Sequence, residues 1–151
     1  MTQPTDFALL IPEIREWNQG RGIGPDGWIG CVGTYELAIG YSLIFWPEFV
    51  EFEGYAFRSG FSESSLRGFE QQTGGDKVAV EAVMNHIHMV DVHVNVSEYN
   101  IEQLRYLVRT LKSIYEVKLR SDFPNRRFVV AFNDKPTLDP IDYELTFWQV
   151  A

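Results

Sequence analysis

The sequence predicts an α+β fold, a small antiparallel sheet of about three strands, including a C-terminal pair, packed against several helices. Three observations carry this. Residues 100–121 have the period of one long amphipathic helix; residues 126–133 and 143–150 read as two β-runs joined by a turn-rich loop; and the helical signals precede that pair instead of alternating with strands. At 151 residues, 45% of them hydrophobic, the chain is expected to form a single domain over 1–151 with a core that needs no staples.

Each element has a local cause. Pro12 suits the first position of a short helix over "PEIREWN", where its missing N–H would be unpaired anyway. The glycine-rich "QGRGIGPDGWIGCVG" is expected to be an irregular loop, with Cys31 a buried small hydrophobe. Thr34 is placed to cap a helix over "YELAIGYSLIFW", with Leu37, Tyr41, Ile44 and Phe45 at helical spacing and Pro47 forcing its end. "FVEFEGYAF" (49–57) alternates Val50 and Phe52 against Glu51 and Glu53, the pattern of one strand with a wet face. Ser62 and Asp76 are expected to cap the two helices that follow, with Gly74 and Gly75 between them.

In the 100–121 helix, Ile101, Leu104, Leu107, Val108, Leu111, Ile114, Tyr115 and Leu119 fill one arc at about 100° per residue. Lys118 falls inside that arc, where its stem is expected to snorkel outward. At about 1.5 Å per residue the helix would be roughly 33 Å long, enough to be the main packing element. Of the two C-terminal runs, "RRFVVAFN" is apolar on both parities and is the candidate central strand.

Composition narrows function by exclusion. A net charge of −8 and a pI near 4.8 disfavour nucleic acid and anionic membranes as partners, and no apolar run approaches a membrane span. The apolar "FALLI" stops at Pro12, too short for a signal peptide, and one cysteine suits a reducing compartment, so a cytoplasmic location is expected. Charge is unevenly spread. Residues 105–127 hold seven Lys or Arg against two acids, a local +5 that leaves −13 on the rest.

Two constellations are worth weighing. All three histidines lie in "NHIHMVDVH" (85–93). On a helix, His86 and His88 would diverge; on a strand they share a face as a chelating His-x-His pair, with His93 leaving it and a third ligand wanting. "GIGPDG" formally matches a phosphate-cradling fingerprint, but no strand precedes it and Pro25 interrupts it. No cofactor is expected. The resulting expectation is a non-enzymatic protein-binding or regulatory module, in the size and acidity range of toxin-neutralising immunity proteins. Glu48, Glu51 and Glu53 would form its face for another protein, possibly a basic one. The alternative is a metal-dependent enzyme using His86 and His88. Oligomeric state is not legible.

Overall fold

The structure, a computed structural model, describes residues 4–151. Its contacts divide the chain into two compact units, Met1–Tyr41 and Ser42–Ala151.

In the first unit, α1 (Phe7–Leu10) is capped by Asp6, whose carboxylate accepts from the Ala8 N–H at 3.0 Å. A 3-10 turn follows at Pro12–Arg15 with the proline at its start, where the sequence predicts a helical turn. The short α2 (Trp17–Gly20) carries two left-handed residues, Asn18 and Gln19, and the chain returns so that Ile23 N–H meets the Ile14 carbonyl at 3.0 Å. Next comes α3 (Pro25–Val32), in the stretch expected to be a loop. Its glycines lower helix propensity, but Pro25 at the first position starts the helix without cost, so the glycines disguised it. Cys31, expected to be buried, is exposed on α3. The helix α4 (Tyr35–Phe45) starts at Thr34, whose hydroxyl accepts from Leu37 N–H at 3.2 Å.

The last turn of α4 opens the second unit. The run expected to be one strand is a hairpin of β1 (Phe49–Phe52) and β2 (Tyr55–Arg58), with Phe49 opposite Arg58 and Phe52 opposite Tyr55. Its two-residue turn, Glu53 and Gly54, has positive φ at both positions (51° and 84°), the arrangement that matches strand twist. Two helices follow as expected: α5 (Glu63–Thr73), capped by Ser62, and α6 (Lys77–Met84), capped by Asp76. A short β3 (Ile87–His88) leads through a 3-10 turn to α7 (Ile101–Asp122), which carries the long amphipathic pattern. The strands β4 (Arg127–Phe132) and β5 (Glu144–Val150) pair antiparallel.

The second sheet runs β3-β5-β4, so β5 is central and β4, expected to be central, is an edge. The reason lies in its faces. Phe128, Val130 and Phe132 pack on the core cluster around α7, but Val129 on the other face is 37% exposed, so the second apolar parity is not fully covered. The core is two clusters on opposite faces of the hairpin. Phe49 stacks edge-on to Tyr115 and Phe147 beside α7, while Phe52 and Phe57 meet Phe61 beside α5 and α6. Lys118 does not snorkel free: it is 8% exposed, its Nζ 2.6 Å from Asp122 and over the Trp46 and Phe49 rings.

Candidate functional site

The three acids read as a partner face do not form a bare acidic patch. Glu53 sits in the hairpin turn, where it accepts two hydrogen bonds from Arg67 at 2.8 Å each; that guanidinium holds its carboxyl below the usual range. Glu51 is paired with Arg126 at 2.6 Å. Glu48 is exposed and, alone of the three among the described residues, makes no ion pair. The basic stretch is compensated too, since Arg105 and Arg109 both bind Asp134, and Lys112 pairs with Glu116.

The histidines separate into a pair and an outlier. The end of α6 and the β3 bridge bring the His86 and His88 rings to 4.9 Å between centres, at 76° to each other. His86 Nδ1 lies 2.5 Å from the Val83 carbonyl oxygen and His88 Nδ1 2.7 Å from that of Ile141. The Glu144 carboxylate, opposite His88 in register, is 3.4 Å from the same Nδ1. His93 follows the 3-10 turn, outside β3. Among the described residues no group of three or more His, Cys, Asp or Glu is placed to hold a metal ion.

One polar cluster has no counterpart in the sequence pattern. Glu81 on α6 is fully buried and accepts from the backbone N–H groups of Ala56 (2.9 Å, on β2) and Gln149 (2.6 Å, on β5), and from the Gln149 side chain at 2.5 Å. One helical turn on, Asn85 donates to the carbonyls of Ala56 and Phe147. Two residues at one helix and its C-terminal end thus tie the two sheets together. Both carboxylate oxygens of Glu81 are engaged by the fold, which leaves the group a structural part. The available signal was an acid inside the otherwise apolar "VAVEAVM".

The surface most in need of explanation is on α3 and the start of α4. Ile29, Val32, Tyr35 and Leu37 are 55, 41, 89 and 51% exposed. A helix apolar on all sides belongs in a buried setting, and contiguous apolar surface marks an interaction site. Between the two helices lies an open groove of about 390 Å³, lined by Ile29, Gly30, Gly33, Thr34, Tyr35 and Ala38. Its floor exists because of glycine. A Cβ at Gly33 would sit 2.8 Å from the Ile29 carbonyl oxygen, so only glycine allows the chain to turn there, whereas a Cβ at Gly30 would meet nothing within 4 Å. The arrangement offers a small-residue floor between Ile29 and Tyr35, suited to receiving a large apolar side chain. It brings no acid, base or nucleophile together.

Comparison with family models, with curated proteins and with solved structures finds no match to the chain. Among the described residues no helix is long and apolar enough to cross a membrane.

Proposed function

We propose that this chain is a non-enzymatic binding module that docks another protein through the groove between α3 and α4. The observation that carries the reading is the exposure of Ile29 and Tyr35 on a glycine-floored groove, with Val32 and Leu37 exposed on the same two helices. Charge favours a particular kind of partner. From residue 22 to residue 41, the stretch that carries the groove, the chain has two acids, Asp26 and Glu36, and no Lys or Arg. Helices that lie on anionic lipid carry basic residues on their polar face, the reverse of this pattern. The partner that fits is a protein with an apolar anchor residue rimmed by Lys or Arg.

A photo-crosslinking amino acid at position 35 tests this in lysate of the source cells, with the same label at exposed Arg120 on α7 as control. A discrete adduct with one protein is expected from position 35 only. Gly30→Leu places side-chain bulk on the groove floor, where a Cβ would meet nothing within 4 Å, and should lower its yield about tenfold, the effect of losing roughly 1.4 kcal/mol of binding. Equal labelling from both positions, or an adduct indifferent to Gly30→Leu, would reject the groove.

A further inference from the structure

We propose that His86 and His88 bind a single late divalent transition ion, of the zinc, nickel and copper class, through the Nε2 atoms of both rings. The site is independent of the α3–α4 groove and shares no residue with it.

The argument begins with the tautomer. A backbone carbonyl oxygen only accepts hydrogen bonds, so the Nδ1 atoms that face Val83 and Ile141 at 2.5 and 2.7 Å must each carry the proton. The nearby Glu144 carboxylate favours the same assignment for His88. Each ring then has its Nε2 lone pair unspent, and the carbonyls fix its orientation, which is how metal-binding imidazoles are held by their surroundings.

Distance supports the pairing. With a metal–nitrogen bond of about 2.0–2.1 Å and roughly 1.2 Å more to the ring centre, two imidazoles on one ion have centres about 4.5–5.4 Å apart, for ligand angles between a right angle and tetrahedral. The observed separation is 4.9 Å. Access is open, because His86 is exposed and the His88 side chain is 26% exposed. Two protein ligands leave the other positions to water. Imidazole nitrogens select late transition ions over magnesium and calcium, which take oxygen ligands.

The test uses the untagged full chain, titrated with NiCl2, ZnCl2 and MgCl2 by calorimetry, and with NiCl2 by NMR. One nickel or zinc ion per chain is expected, with no magnesium binding. Paramagnetic nickel should broaden the ring C–H signals of His86 and His88 well before those of His93. His86→Ala and His88→Ala should each weaken binding at least tenfold, and His93→Ala less than twofold. The wild-type broadening pattern decides the matter even if a variant folds poorly. Absence of binding would show the two rings to be an edge-to-face contact only; equal broadening at His93, or an equal loss in His93→Ala, would show diffuse chelation and overturn the paired site.

Discussion

Glu81 is fully buried, and its carboxylate accepts from the Ala56 N–H of β2 and from both the backbone and side-chain N–H groups of Gln149 on β5. Removing it leaves one buried backbone N–H, that of Ala56, and one partly buried, that of Gln149, without their partner, at up to about 1–3 kcal/mol each. Glu81→Ala is therefore expected to lower the free energy of unfolding by roughly 3 kcal/mol or more, a large share of the 5–15 kcal/mol typical of a domain. Glu81→Gln keeps one carbonyl oxygen and should lose less. Urea denaturation of both variants checks the order; equal losses would contradict the assignment. Glu81 was illegible because a carboxylate on an amphipathic helix usually marks the solvent side, and only the partners on two distant strands reverse that. Lys118 was legible as an intruder in the apolar arc. What became of it depends on Asp122, one turn on, and on the Trp46 and Phe49 rings, and sequence spacing shows only the first of these.

At the level of elements, the caps were the clearest signals. Thr34, Ser62 and Asp76, read as caps, each accept from backbone N–H groups of the helix they precede, and Asn100, counted within the long helix in the sequence reading, caps it in the same way. The hairpin was hidden because its turn begins with Glu53 in a left-handed conformation that Asn or Asp more often occupies, so "EFEGY" read as uninterrupted alternation. The bidentate pair with Arg67 holds Glu53 there, a contact from α5 that no local pattern reveals. Of the candidate sites, the His-x-His spacing was visible and the α3–α4 groove was not, since its glycines resembled loop punctuation. The edge position of β4 has its own consequence. The strand presents "FVVAF" without a central charge, and uncharged apolar edges invite pairing with other chains. Val129→Lys, at a 37% exposed position, should reduce concentration-dependent association while leaving the melting temperature within a few degrees. Light scattering against concentration measures the first, and unchanged association would show that the edge is already protected.

For the whole molecule, pH gathers the local ion pairs into one curve. Arg109 and Arg105 hold the Asp134 carboxyl below its ordinary 3.8, and Arg67 holds Glu53 below its ordinary 4.5. A lowered carboxyl contributes stability that is fully present above its unfolded value and is lost as pH falls through its folded value. The urea midpoint is thus expected to fall on acidification from about pH 5 toward pH 2, and Asp134→Asn should flatten that limb. At the other end, burial raises the phenols of Tyr115 and Tyr55 above their ordinary 10.0, with the Glu70 carboxylate adding to the second. A raised phenol contributes stability that is fully present below its unfolded value and is lost as pH rises from there toward its folded value, so the folded state loses ground as pH climbs past about 10. Stability should then be flat between the two limbs. An acid limb of the same slope in Asp134→Asn would place its origin elsewhere.

The tie made by Glu81 and Asn85 also bears on motion. Residues 56, 81 and 149 meet through one carboxylate, so the hairpin cannot peel from β5 without breaking bonds to α6 at the same moment. Opening of either sheet becomes an event of the whole second unit, and the Ala56 and Gln149 amides belong with its slowest exchangers of hydrogen for deuterium, released only when that unit unfolds.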